Sequence, residues 1–261
     1  MLNEQTPGIE WTHVYGRRGY TVNITSGCYH GCQFEQTDGS LVDCYASVVA
    51  ARWQSPTFFP DGFAAHYFHV ERLAAAAALK TPAGIFIDSM GDLFGHWLPA
   101  EQVQAVLDMC RQSPQHIFFS LTKNARRLRE FELPSNLWSG ISLPPDHFRG
   151  LSYTVAQKTA VFAHDLKVLA QRSGGIRWAS LEPLSFDCSA LLETAQLEWV
   201  VIGAATAGRR SWQPEPEALR NVLAVLDRRG IPVFFKGNLQ NSLKAGVLRE
   251  WRAEFPPFVH G

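Results

Sequence analysis

Seven short runs rich in β-branched and aromatic residues recur along the 261-residue chain, and each ends in polar, Gly or Pro residues. They are GYTVNITSG (19–27), GIFIDSMGD (84–92), HIFFSLTK (116–123), LWSGISLPP (137–145), IRWASLEP (176–183), EWVVIGAATAG (198–208) and IPVFFKGN (231–238). Nearly continuous apolar strands of this kind are buried on both faces, as in a parallel sheet covered by helices. Helical patterns fill the gaps. Val103, Val106, Leu107 and Cys110 fall on one helical face, and Leu219, Val222, Leu223 and Leu226 on another. Pro99 and Glu101 open the first of these helices; Arg228, Arg229 and Gly230 close the second. The stretch 153–172 predicts another helix, with Phe162, Leu166 and Leu169 on its stripe, and the Ala-rich stretch 71–80 one more. Strands alternating with helices predict an α/β fold: a partial (βα) barrel of about six or seven mostly parallel strands, with right-handed crossovers. An open doubly wound sheet is the alternative. With no internal repeat or linker, the expectation is a single domain over 1–261, with an irregular surface insertion near 54–68, where Pro56, Pro60 and Gly62 fall.

Lys plus Arg and Asp plus Glu balance at 24 each, so no global basic field announces a nucleic-acid partner. The opening MLNEQTPGIEW lacks the basic start and apolar run of a secretory leader, and no apolar stretch approaches the roughly 20 residues that cross a bilayer. The expected setting is cytoplasmic, away from membranes. In that reducing compartment clustered cysteines serve as metal ligands or catalytic groups more often than as disulfides. Cys110 and Cys188 lie apart in sequence and read as core packing.

The cluster is SGCYHGCQFEQTDGSLVDCYAS (26–47), with Cys28, Cys32 and Cys44 at a C-x3-C-x11-C spacing. A disulfide uses two thiols and a closed zinc site four ligands, so zinc would need His30 or His13 to complete a Cys3His set. Three thiolates can instead hold three irons of a cubane and leave the fourth open. The spacing leaves both possibilities standing. In a βα barrel, function gathers at the C-terminal strand ends. Those ends carry the three cysteines, then Asp88, Ser89 and Asp92, then Lys123, Ser142, Glu182, Thr206 and Lys236. Lys123 and Lys236 are the candidates to bind substrate phosphate or donate protons. Asn23 is a candidate buried polar contact, and the pairs Arg17–Arg18, Arg126–Arg127 and Arg209–Arg210 are candidate phosphate contacts.

The segment NITSGCYHGCQF followed by CYAS resembles the NPY-x-GC-x-HGC-x-YCYA signature of radical S-adenosylmethionine (SAM) enzymes near spore photoproduct lyase. IFIDSMGDLF, FFSLTKNARRL, LWSGISL, IRWASLEPLSFD, EWVVIGAATAGRRSWQPEPEALRNVL and GIPVFFKGN resemble, in the same order, a phage-associated radical SAM-like family of unknown function. The resemblance implies a 4Fe-4S cluster on Cys28, Cys32 and Cys44, with SAM on the open iron. It implies reductive cleavage to a 5′-deoxyadenosyl radical, with a nucleic-acid base as candidate substrate and a reductase or flavodoxin-type electron donor. Ser89, Met90, Gly91 and Asp92 would receive the methionine amino group, and Ser142 and Glu182 the ribose or methionyl part. The chain departs from the pattern in three places. EQTDGSLVD is added before Cys44, Asp43 replaces an aromatic residue, and Gly203-Ala204-Ala205-Thr206-Ala207 stands where relatives carry Gly-Gly-Glu-Ser-Gly. The other function class is a non-catalytic zinc- or cluster-binding module that recruits a protein or nucleic-acid partner.

Overall fold

The computed structural model describes residues 2–4, 9–35, 38–53, 59–207, 210–239 and 254–257. Each of the seven runs contains a strand of one sheet: β2 (Arg18–Val22), β3 (Ala83–Ile87), β4 (Ile117–Thr122), β5 (Leu137–Ser142), β6 (Arg177–Leu181), β7 (Trp199–Ile202) and β8 (Val233–Phe235), with β1 (Asn3–Glu4) on the edge. Their spatial order is their chain order, and every pair from β2 to β8 is parallel, while β1 runs antiparallel to β2. A doubly wound sheet would reverse direction at a switch point. This one does not reverse, and it curls into a half-barrel as the strand–helix alternation predicts.

The helices sit where the 3.6-residue periodicity puts them. Between β3 and β4, α3 (Ala100–Arg111) buries Val103, Val106, Leu107, Met109 and Cys110. Between β5 and β6, α4 (Val155–Leu169) starts at a capping box in which Thr154 and Gln157 satisfy each other's backbone N–H. Between β7 and β8, α6 (Pro216–Arg228) has Pro at its first position and buries Leu219, Val222, Leu223, Val225 and Leu226. The Ala-rich helix is shorter than its composition predicts: α2 covers only Ala74–Ala78, because Leu79 turns to extended geometry on the way into β3. Two helices escape the periodicity argument, α1 (Tyr45–Arg52) directly after Cys44 and the one-turn α5 (Ser189–Leu192).

The strands sort their side chains by face. Ile85, Ile87, Phe118, Leu137, Ile141, Ala179, Leu181, Val200, Ile202 and Val233 join the helix residues in one large apolar cluster. Phe86, Phe119, Trp138, Trp178, Trp199, Val201 and Phe234 point the other way and form a second cluster with Trp11 and Val14, which involves none of the helices. Trp11 sits at its centre, with ring centroids 4.8 Å from Phe86, 5.0 Å from Trp178 and 5.4 Å from Phe119. Tilted and edge-on rings at these distances add to area burial. The C-terminal segment 254–257 closes against this floor: Trp199 Nε1 donates to Glu254 O at 3.0 Å, and Phe255 packs on Trp199 and Phe234. Close packing needs one gap in the side chains of β5, since a Cβ on Gly140 would lie 2.3 Å from Trp178 Cε2. Gly140→Ala is therefore expected to lower the free energy of unfolding by about 1–3 kcal/mol, read from equilibrium urea denaturation followed by tryptophan fluorescence.

Candidate functional site

All seven parallel strands end on one edge, and the loops leaving it supply the polar groups singled out by sequence. The run 19–27 breaks first. β2 stops at Val22 because Asp88, at φ +57° past the end of β3, captures the next amides: Ile24 N and Thr25 N both donate to its Oδ1 at 2.8 Å, and Thr25 Oγ1 donates to Oδ2 at 2.6 Å. Burial raises the Asp88 pKa to about 7 against the pull of these three donors. Thr25–Ser26 then turns away and pairs antiparallel with Tyr67–Phe68.

That pairing gives the partly exposed stretch 59–68 a role beside the site. Residues 54–58 lie outside the described residues, but the rest of the stretch backs the cysteine loop: Cys28 N donates to Phe63 O at 2.8 Å. A Cβ on Gly27, at φ +85°, would fall 1.7 Å from Ala65 O, so this position admits only glycine.

The added segment before Cys44 solves the spacing problem. Gln33–Glu35 and Leu41–Asp43 form an antiparallel hairpin in the register Gln33↔Asp43, Phe34↔Val42, Glu35↔Leu41. The next pair down is Cys32 and Cys44, joined by a bond from Cys44 N to Cys32 O of 3.0 Å. Opposite residues in such a ladder carry Cβ atoms only about 5 Å apart. Eleven intervening residues thus loop outward while the two thiols meet at the hairpin's base. His147–Phe148 pairs alongside Gln33, which ties the hairpin to the loop after β5.

The thiols are free, Cys32 buried and Cys28 and Cys44 half-buried. Burial, then Asp92 and the other two cysteines, raises the Cys28 pKa, while a hydrogen bond from the His30 amide pulls it down. Burial pushes Cys32 up to about 12 against the charge of Lys123. Burial opposes the charge on Lys123 too, yet Cys32, Cys44, Cys28 and Asp92 together hold its pKa above the ordinary lysine value. The three sulfurs and this ammonium therefore share one field. Cys28 and Cys32, whose thiols resist ionisation on their own, suit a polycation that displaces their protons on binding. Among the described residues no three His, Cys, Asp or Glu side chains close around the position of a single ion. Three thiolates from the loops of one mouth are the donor type that a cubane takes, one on each of three irons. Of the two histidines, His13 Nδ1 accepts from Gly19 N at the far end of β2, away from the cysteines, and His30 Nε2 is bound to Asp92.

The other sequence candidates divide by what already holds them. Asn23 Oδ1 accepts from Met90 N at 2.9 Å and Ser89 Oγ at 3.2 Å, and Gly27 N donates to Met90 O at 2.9 Å, so Ser89, Met90 and Gly91 are braced beside the cysteine loop. Gly91 packs directly on that loop, its Cβ position lying at van der Waals distance, 3.5 Å, from Gly27 O. Asp92 is a buried hub. Its Oδ2 accepts from His30 Nε2 at 2.8 Å and from Thr122 Oγ1 and Lys123 N at 3.0 Å each, and its Oδ1 accepts from Phe94 N at 3.0 Å. Burial pushes that carboxylate upward, yet the bonds from His30, Lys123 N and Thr122 hold it below the ordinary range. Its oxygens are spent within the protein, which sets it apart from Ser89, Met90 and Gly91.

Lys123 Nζ donates to Ser142 Oγ at 2.8 Å. Lys236 Nζ lies 3.0 Å from Glu182 Oε1, a charge contact without hydrogen-bond alignment, and Ser180 Oγ donates to Glu182 Oε2 at 3.0 Å. Gly203 makes room for that pair, since its Cβ would stand 3.0 Å from Glu182 Oε1 and 3.1 Å from Lys236 Cδ. Thr206 is exposed in the strand Ala205–Ala207, which pairs with Arg210–Trp212, and Trp212 Nε1 donates to Glu35 O of the cysteine hairpin at 2.9 Å. Tyr45, just past Cys44, donates to Ser89 O.

Of the arginine pairs, Arg17–Arg18 lies away from the mouth and Arg127 is turned into the core. Arg17 and Arg18 stand at the start of β2, bonded to Gln115 O and Glu4, and Arg127 is buried with its guanidinium on Gly95 O and Leu98 O. Arg126 is exposed, and Arg209 lies outside the described residues. A cavity of about 600 Å³ between Tyr15, Arg17, His116 and Trp138 opens at the opposite end of the strands from the cysteines. The sequence reading missed His30 as the partner of Asp92, and Tyr45, Thr122, Tyr29 and Trp97 as mouth residues. Tyr29 directly after Cys28, Tyr45 directly after Cys44 and the Thr122 hydroxyl ending β4 were the available signals.

A singly wound parallel half-barrel with a three-cysteine loop after its first parallel strand is the fold of radical SAM-type proteins. The comparison with solved structures agrees: a spore photoproduct lyase mutant superimposes with a TM-score of 0.52 at 10% identity, covering 86% of this chain and 78% of that one. A second spore photoproduct lyase mutant, with bound AdoMet and dinucleoside spore photoproduct, gives a TM-score of 0.45 at 9% identity over 83% of this chain and 63% of that one. No curated protein sequence matches. The chain belongs to the family described as "Protein of unknown function (DUF5131)", which matches residues 6–246.

The hairpin register carries its own prediction. When the metal-free protein is oxidised mildly, a disulfide is expected between Cys32 and Cys44, with Cys110 and Cys188 left reduced because they are 0% and 1% exposed in the core. Peptide mapping under non-reducing conditions checks this.

Proposed function

We propose that the chain is a radical SAM-type enzyme in which Cys28, Cys32 and Cys44 hold a 4Fe-4S cluster and SAM is cleaved reductively. The observation that carries this reading is the convergence of three unpaired cysteines at the mouth of a parallel half-barrel, the x11 gap being closed by hairpin pairing. When bound, a cluster with one iron left open supplies the electron that splits the sulfonium bond into methionine and a 5′-deoxyadenosyl radical.

The rest is the work of the chain's own residues. Asn23 holds Ser89, Met90 and Gly91 against the cysteine loop, where the methionyl amino group would bind. Ser142 and Glu182, on the ends of β5 and β6, offer oxygens for the ribose or methionyl part, each steadied by a lysine. Lys123 and Lys236 carry those charges at the mouth and are the proposed proton donors or phosphate contacts for a substrate. A nucleic-acid base is the proposed substrate class, supported by Tyr29, which is 41% exposed and stacked on Trp97 at 4.8 Å, and by the exposed Arg149 near the same loop. A reductase or flavodoxin-type protein is the proposed electron donor.

Anaerobic reconstitution is expected to give about four irons and about four sulfides per chain, with broad visible absorption. After dithionite reduction, SAM should yield 5′-deoxyadenosine, detected by chromatography, and Cys44→Ala should lower that yield at least about tenfold. A colourless protein with one zinc would overturn the reading. Single-stranded oligonucleotides are expected to raise the rate of 5′-deoxyadenosine release, and the absence of any effect would remove nucleic acid as the substrate.

A further inference from the structure

The loop from Cys28 to Cys32 contains no regular secondary structure, and Gly27 and Gly31, at φ +85° and +57°, give it freedom at both ends. Such a loop does not hold two sulfurs at a fixed separation unless something inside it is tied down. Tyr29 faces outward. His30 is the one side chain between the cysteines that turns inward: it is 2% exposed, its ring lies 4.9 Å from both Trp97 and Phe148, and its Nε2 is 2.8 Å from Asp92 Oδ2. Its backbone is used as well. The carbonyl accepts from Arg149 N at 2.7 Å, and Cys28 lies two residues back on the same short loop. Asp92 in turn is bonded to Thr122 and Lys123 at the end of β4 and to Phe94 N. One residue therefore links the first cysteine, the loop after β5 and the frame of the half-barrel.

We propose that His30, anchored by Asp92, is the positioning residue that sets the geometry of Cys28 and Cys32. For cluster binding this rests on the functional reading above; for the thiols themselves it does not. In this arrangement Nε2 is committed to Asp92, while Nδ1 is enclosed without a hydrogen-bond partner among the described residues. The same bond gives the buried carboxylate a third donor on Oδ2, so losing it affects both partners.

Two substitutions separate the hydrogen bond from the bulk of the ring. His30→Phe keeps a buried ring and removes the donor. His30→Gln places an amide donor close to the position of Nε2. The first readout uses the metal-free chain: alkylation rates of individual cysteines, followed by peptide mass spectrometry. His30→Phe is expected to speed alkylation of Cys28 and Cys32 at least about tenfold with Cys110 and Cys188 unchanged, and His30→Gln to stay within about threefold of the unaltered chain. The second readout is the rate at which a chelator strips iron from the reconstituted protein, expected to rise by a similar factor in His30→Phe only.

Unchanged Cys28 and Cys32 rates in His30→Phe would overturn the proposal, as would equal acceleration at all five cysteines, which means general unfolding. Equal damage from His30→Gln would show that the ring and not its donor matters, and would also overturn it. If the unaltered chain takes up no iron or sulfide, the functional reading fails, while the alkylation result still decides the role of His30.

Discussion

Parallel pairing of seven consecutive strands is the constraint on which the other features depend. From Arg18↔Ala83 at one side to Ile202↔Phe235 at the other, each strand hydrogen-bonds to its successor in the chain. Every crossover must therefore return to the same starting edge, and every loop that leaves a strand end emerges at the opposite one. The aliphatic face is buried against the helices. The aromatic face, with Trp11 between Phe86, Phe119 and Trp178, is packed shut at its floor, and the mouth is left to the polar strand ends.

Gathering charge at one mouth is costly unless each group finds a partner, because burial removes the water that would otherwise solvate it. The structure meets this with local pairs. Asp92 takes four donors, Asp88 three, Glu182 faces Lys236, and Lys123 reaches Ser142 while sharing a field with three sulfurs. The cation beside the thiols lowers the cost of holding anionic sulfur there. Gly203, within the segment that departs from the radical SAM pattern, leaves the space in which Glu182 and Lys236 meet, so the lost carboxylate of that segment coincides with a charge pair built from neighbouring strands.

The cysteine loop is assembled from pieces distant in sequence. The hairpin brings Cys44 to Cys32, Phe63 and Ala65 support Cys28 and Gly27 from behind, Met90 bonds Gly27, and Arg149 bonds His30. An insertion of nine residues is compatible with a tight three-thiol arrangement because antiparallel pairing returns the chain to its starting point whatever the length of the tip. Trp212, from the loop after β7, bonds the same hairpin at Glu35 and so holds the added segment from the far side of the sheet.

By itself the sequence determined the strands, most of the helices, the face each helix buries, the two core cysteines and the three clustered ones. These follow from periodicity, since residues two apart in a strand, or three and four apart in a helix, share one environment and record its polarity. It left open whether the x11 gap kept Cys44 apart from Cys32, it offered the Arg17–Arg18 pair as a candidate phosphate contact, and it gave no sign that 59–68 braces the cysteine loop or that Asp92 is bonded to His30. Only the tertiary structure decided these points, because His30 and Asp92 are 62 residues apart in the chain and no local pattern encodes a contact that exists only after β2, β3 and β4 have paired.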